Sequence, residues 1–234
     1  MKSNFQYIWG ISQKKDGQMK IYPNDPDGAS LNRKKFFDKL GLDANNVVSA
    51  GLIHGDNIVV VGKENIGKKI ENTDGLITSI PNIILTITIA DCLPIYFFDK
   101  NKGVIGLVHA GWRGVVNNIV TKTLKKMESE FGTNPNDVNV IIGPHIKDCH
   151  FEVGEDVAKQ FAVYNNFIDK DGDNIKINLS GIVSEQLKNG GVNIKNISDS
   201  EDCTHCLNEK YYSFRRDKPE KVEAMMAYSV IVNI

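Results

Sequence analysis

Ile83-Ile84-Leu85-Thr86-Ile87-Thr88-Ile89, Ile95-Tyr96-Phe97-Phe98 and Val104-Ile105-Gly106-Leu107-Val108 follow one another closely in the chain. Each run is short enough for a strand and lacks the regular polar alternation of a half-exposed one. Such runs suit strands covered on both faces. Cys92 falls just past the first run and His109 just past the third. Both residues therefore arrive at the same rim of a sheet.

Working outward, the best helix comes next. Val115, Val116, Ile119, Val120, Thr123, Leu124, Met127 and Phe131 mark one face at a period of 3.6. Val138 to Ile142 reads as a strand stopped by Gly143-Pro144, Val153 to Phe161 as a helix, and Leu179 to Leu187 as a helix closed by Asn189-Gly190-Gly191. Val192-Asn193-Ile194 and Ala227 to Ile234 read as late strands. Upstream, Phe5 to Trp9 is strand-like and Asn24-Asp25-Pro26-Asp27-Gly28 is turn chemistry. Ser30 reads as the N-cap of a helix carrying Phe36, Phe37 and Leu40. Val47-Val48 and Ile58 to Val61 are strands flanking His54, and Ile66 to Gly75 is a surface loop. No repeat or linker interrupts the chain. The expectation is an α+β fold over residues 1–234, a single domain of mixed β-sheets flanked by helices.

Composition narrows the partners. Of 234 residues, 41% are hydrophobic, and 28 basic side chains face 29 acidic ones. That balance lacks the basic excess of a nucleic-acid binder. No run approaches the roughly 20 apolar residues of a membrane span, and Met1-Lys2-Ser3-Asn4-Phe5 carries no signal-peptide stretch. The four cysteines, Cys92, Cys149, Cys203 and Cys206, are therefore read as reduced, in a cytoplasmic setting that favours metal or catalytic use.

His54, Cys92 and His109 each sit in a short distinctive segment: Leu52-Ile53-His54-Gly55, Asp91-Cys92-Leu93-Pro94 and His109-Ala110-Gly111-Trp112-Arg113-Gly114. Two imidazoles and a thiolate suit zinc, and three protein ligands leave one position open, as in catalytic sites. Taken singly, each has a plain structural account: a satisfied histidine, or a cysteine behaving as a small hydrophobe. Small residues after His109 allow close backbone approach, and Arg113 at a helix start marks an anion site. Asp91 is placed to orient a histidine ligand or to act as a base.

These segments occur in order with Ile142-Gly143-Pro144, Glu152-Val153-Gly154 and Ser213-Phe214-Arg215-Arg216-Asp217. Together they resemble the bacterial purine nucleoside phosphorylases once labelled multicopper polyphenol oxidases or laccases, a family that includes the mammalian laccase-domain protein. The resemblance runs from about His54 to Asp217. It implies an α+β fold, usually monomeric, with zinc on His54, Cys92 and His109. It implies phosphorolysis of adenosine, inosine and guanosine with phosphate, cleavage of methylthioadenosine, and deamination of adenosine. The chain departs from the family in three places. Leu52-Ile53 stands where Gln-Val is usual, and Phe151 replaces a tyrosine. An N-terminal Thr-Arg-x-Gly-Gly-Val-Ser pattern is missing around Ser12 to Gly17, so Lys14 or Lys15 must replace its arginine or the activity is altered.

Deamination needs water activated near the purine and a carboxylate for proton traffic; Asp91 is the candidate, with Glu152 behind it. Phosphorolysis needs phosphate held by bidentate cations: Arg113, with Arg215 and Arg216 if the fold brings them near. The competing readings are a cysteine hydrolase with a Cys92/His109 dyad, a copper polyphenol oxidase, and a non-enzymatic partner in cell-wall synthesis control. Copper is the poorer metal choice, because the chain holds five histidines and no His-x-His pair for a trinuclear cluster. Cys203-Thr204-His205-Cys206 lacks the second cysteine pair of a zinc ribbon, and Cys149-His150 reads as exposed loop. Asp169 to Asp173 lacks the glutamate a calcium loop needs, since position 180 holds Ser180, and reads as a turn.

Overall fold

The computed structural model describes residues 5–22, 26–172 and 174–233. In chain order its main elements are β1 (Phe5–Ile11), α1 (Pro26–Leu40), β2 (Val47–Gly51), β3 (Ile58–Val60), β4 (Lys69–Glu71), β5 (Gly75–Thr78), β6 (Ile84–Ile89), β7 (Leu93–Asp99) and β8 (Val104–Ala110). There follow α2 (Trp112–Val116), α3 (Ile119–Phe131), β9 (Asn139–Ile142), β10 (Glu152–Val153), α4 (Glu155–Ala158), β11 (Ile168–Asp171), β12 (Asn174–Ile177), α5 (Leu179–Asn189), β13 (Ile197–Asp199), α6 (Phe214–Asp217) and β14 (Met225–Asn233).

The strands form a five-stranded sheet, β1-β14-β6-β2-β4, a six-stranded sheet, β13-β9-β7-β8-β5-β3, and a small sheet, β10-β12-β11. Parallel pairs (β2 with β6, β9 with β13) mix with antiparallel ones, so the expected mixed-sheet α+β architecture is what the chain adopts.

Strand parity explains the layering. Leu93, Ile95 and Phe97 of β7 point into a core shared with Val115, Ile119, Leu124 and Ile182 of α2, α3 and α5. The alternate residues Tyr96 and Phe98 join Ile105 and Leu107 of β8 against Leu85 and Ile87 of β6 and Ala227 of β14. The two large sheets thus pack face to face. On the far side of the five-stranded sheet, Ile84, Met226 and Tyr228 meet Phe36 and Phe37 of α1. The layers run helix, sheet, sheet, helix. Both faces of β6, β7 and β8 are buried, and each large apolar side chain so removed from water contributes about 1.5–3 kcal/mol.

Several boundaries differ from the sequence reading. α1 begins at Pro26, ahead of Ser30; the turn residues Asn24 and Asp25, the strand end at Ile234, and Asp173 lie outside the described residues. The Ile66–Gly75 stretch contains a strand, β4, which pairs with β2 and covers its edge. The long helix is broken at Asn118, whose φ of 57° is left-handed, into α2 and α3. The Val153 helix shrinks to α4 followed by 3-10 turns to Phe167. Ile194 begins a 3-10 turn, and the late strand is β13. Among the described residues, no helix is long and apolar enough to cross a membrane.

Candidate metal centre

The antiparallel β7–β8 hairpin pairs Leu93 with Ala110 and Pro94 with His109. Cys92, at the mouth of β7, is therefore beside the end of β8. Val108 and Ala110 face the helices, so parity turns His109 toward the other sheet, at the rim between the two. His54 comes from the β2–β3 connection, held at φ 59°. The ligand atoms of His54, Cys92 and His109 all lie within 4.8 Å of one another. The two imidazole rings stand edge to face, 87° apart, with centroids separated by 4.8 Å.

A carboxylate that the sequence reading passed over organises this trio. Asp74 is fully buried, and its Oδ1 sits 2.8 Å from Nδ1 of His109. The same carboxylate accepts the backbone N–H groups of His54 at 3.0 Å, Gly55 at 2.8 Å and Ile53 at 3.3 Å. Burial alone would raise the pKa of Asp74. The hydrogen bond from His109, the amide of Gly55, the His109 charge and the amide of Ile53 hold it below the ordinary value. One side chain thus shapes the His54 loop and fixes the His109 tautomer, leaving Nε2 for the metal. The only sequence signal was an acidic residue in a Thr-Asp-Gly turn.

Burial opposes ionisation of Cys92. The His109 charge and hydrogen bonds from His109 and His54 outweigh it and bring the thiol down to about 6. Burial likewise opposes protonation of His109, yet Cys92 and then Asp74 lift it to about 9. Both directions describe a thiolate waiting for a positive partner, which a metal cation supplies in place of the proton. The donor set therefore fits a metal. Gly111 keeps its approach open: a Cβ there would lie 3.2 Å from Cδ2 of His54 and 3.4 Å from Sγ of Cys92.

The trio borders a cavity of about 1090 Å³ that runs along the α1 face of the five-stranded sheet, past Ser49, Thr86 and Thr88, to that sheet's rim. Arg113 and Arg215 line it, with Trp112 and Phe151 as aromatic walls. The Arg113 guanidinium lies 4.2 Å from the Trp112 ring. Arg33 of α1, unmentioned by the sequence reading, also lines the cavity; it donates to the carbonyl of Met19 at 2.8 Å, and burial pulls it down to about 10, still charged at neutral pH. Lys14 points elsewhere, toward Asn208, and neither it nor Lys15 lines the cavity.

The remaining candidates separate. Asp91, at φ 87°, lines the cavity, but its oxygens accept from Thr204 Oγ1 at 2.7 Å, Ser213 Oγ at 3.0 Å and the Arg215 amide at 2.7 Å. It staples two loops beside Cys92, while Asp74 does the orienting. Glu152 is exposed and outside the cavity lining; its carbonyl accepts Arg215 Nη1 at 2.7 Å. Arg216 turns into its own loop, donating to the carbonyls of Thr204, His205 and Tyr211 and to Asp217. It too is absent from the cavity lining.

Comparison with known proteins agrees with this architecture. The family model described as multi-copper polyphenol oxidoreductase laccase matches residues 17–231. A purine nucleoside phosphorylase of Clostridium acetobutylicum is 36% identical over 74% of this chain and 73% of its own length. Purine nucleoside phosphorylase YlmD of Bacillus subtilis is 28% identical over 94% of this chain and 84% of its own. Among solved structures, YfiH of Bacillus licheniformis superposes with a TM-score of 0.91 at 27% identity, covering 96% of this chain and 92% of that one. Despite the family model's description, the Cys92 group contains only two imidazoles among the described residues, too few for a multicopper cluster. The chain belongs to this laccase-like family, whose curated members carry the name purine nucleoside phosphorylase.

Proposed function

We propose that this chain is a zinc-dependent purine nucleoside phosphorylase, acting on adenosine, inosine, guanosine and methylthioadenosine, that also deaminates adenosine. In this reading it works as a cytoplasmic monomer whose whole length is one catalytic domain. The observation that carries it is the convergence of His54, Cys92 and His109 at the edge of a cavity that arginines and aromatic rings also line.

His54, Cys92 and His109 would hold the metal, which when bound supplies Lewis acidity at neutral pH on its open side. The other residues position the reactants. Phosphorolysis breaks an N-glycosidic bond with oxocarbenium character, so phosphate must lie near the anomeric carbon while the purine departs. Arg113, Arg215 and the half-buried Arg33 supply the positive charge for phosphate. Trp112 and Phe151 offer ring faces to a purine. Asp91 keeps Ser213 and Arg215 fixed beside Cys92.

The test is direct. Purified protein of known metal content is assayed with inosine and adenosine, with and without phosphate. Phosphate-dependent release of base, lost in Cys92→Ala together with the metal held by His54, Cys92 and His109, supports the reading; base release that ignores phosphate and metal contradicts it. Arg113→Ala is expected to raise the KM for phosphate, and an unchanged KM reassigns that side chain.

One observation favours a second reading. Cys92 and His109 bring their ligand atoms within 4.8 Å of each other, and a neighbouring thiol and imidazole are also what a cysteine hydrolase uses. Hydrolysis that survives removal of metal by a chelator would select the dyad.

A further inference from the structure

Away from the Cys92 centre, Cys149, His150, Cys203 and Cys206 bring their ligand atoms within 4.8 Å of one another. The sequence treats them as two unrelated loop motifs separated by a long stretch of chain. The fold joins them, because the loop after β9 and the loop before α6 meet through the His145–Cys203 backbone bridge and the Thr204 amide bound to the His145 carbonyl at 3.0 Å.

We propose that Cys149, His150, Cys203 and Cys206 form a second, closed metal site of zinc-type chemistry, which locks together the two loops that frame the substrate cavity. The spacing is what a tetrahedral centre requires. Zn–S bonds of about 2.3 Å place two sulfurs about 3.8 Å apart at tetrahedral angles, whereas a disulfide needs about 2.0 Å. Sγ of Cys149 lies 3.7 Å from Sγ of Cys203 and 3.8 Å from Sγ of Cys206. Nδ1 of His150 lies 3.2 Å from the first of these sulfurs and 3.3 Å from the third, near the S···N edge of about 3.6 Å that Zn–N bonds of about 2.0–2.1 Å imply.

The surroundings are those of a metal-bound thiolate group. The Lys147 amide points at Sγ of Cys203 at 3.4 Å, a backbone donor to sulfur. The His205 ring stacks on His150 at 3.8 Å and 16°, fixing the imidazole plane. Three thiols and one imidazole fill four positions, so the site is structural rather than catalytic. On binding, each thiol yields its proton to solvent.

The position gives the site a role. Thr204, next to Cys203, donates to Asp91, the neighbour of Cys92. Arg215, which lines the cavity, donates to the carbonyls of His150 and Glu152. A metal here would hold the wall of the cavity and, through Asp91, the Cys92 ligand.

The test removes the first centre and counts what is left. Full-length Cys92→Ala protein, purified without chelator, is expected to carry about one zinc per chain by mass spectrometry. Cobalt exchanged into it should give tetrahedral d–d bands and thiolate charge transfer. Adding Cys206→Ser should remove both signals. Should that variant not fold, alkylation of the wild type replaces it: Cys149, Cys203 and Cys206 should resist iodoacetamide until a strong chelator is added. Cys92→Ala protein that holds no zinc and takes none up on titration overturns the proposal. So does peptide mapping that finds Cys149 disulfide-linked to Cys203 or Cys206 in freshly purified protein.

Discussion

Asp74 makes the centre from parts that would not otherwise agree. It holds His109 by the ring and the His54 loop by its backbone. Asp74→Asn keeps the shape but puts an amide where the carboxylate accepts hydrogen bonds. Zinc affinity at this centre is expected to fall about 10–100-fold, as loss of such a supporting carboxylate does, read by competition with a chromophoric chelator in protein lacking Cys206; unchanged affinity would remove Asp74 from the account. His145 offers a pH signal. It is buried, its Nδ1 lies 2.8 Å from the Gly143 carbonyl, and burial followed by the Lys147 charge pushes it down to about 4 from 6.5. The unfolded chain therefore takes up the proton first as pH falls. The stabilisation is full above about 6.5 and is lost progressively as pH falls from there to about 4. His145→Asn retains a donor for Gly143 and cannot titrate, so its stability profile across that window should be flatter in urea melts; parallel profiles would contradict this.

At the scale of elements, the site is the product of one hairpin and one tight connection. The β7 and β8 runs are legible because they are buried on both faces, and their ends delivered Cys92 and His109 to one rim as the sequence reading expected. What followed β8 was read less well. Periodicity passed straight through Asn118, since a left-handed residue leaves the apolar spacing intact while it redirects the helix. Asp74 and Arg33 were missed because their roles depend on contacts between segments far apart in sequence. The cysteine pairs were separated for the same reason. Gly111, between β8 and α2, shows how narrow the connection is. Gly111→Ala should leave the protein folded and zinc bound at His54, Cys92 and His109, yet lower kcat/KM by at least about tenfold, a loss of about 1.4 kcal/mol in transition-state binding. Wild-type turnover in that variant would mean that substrate does not approach past Gly111.

For the whole molecule, the face-to-face packing of the two sheets sets where the site can form. Their shared core fixes the frame, and the cavity lies along the outer, α1 face of the five-stranded sheet with the Cys92 centre at its edge. The helices outside thicken this frame and supply Arg33 from one side and Arg113 from the other. All else depends on a single cation being shared by side chains from three separate segments. Anomalous diffraction from crystals of the wild-type protein, collected on both sides of the zinc edge, reads this without any assay. The expected map has a zinc peak bonded to His54, Cys92 and His109, with its remaining face toward the cavity. Crystals of active protein with no anomalous density between those three side chains would contradict the account.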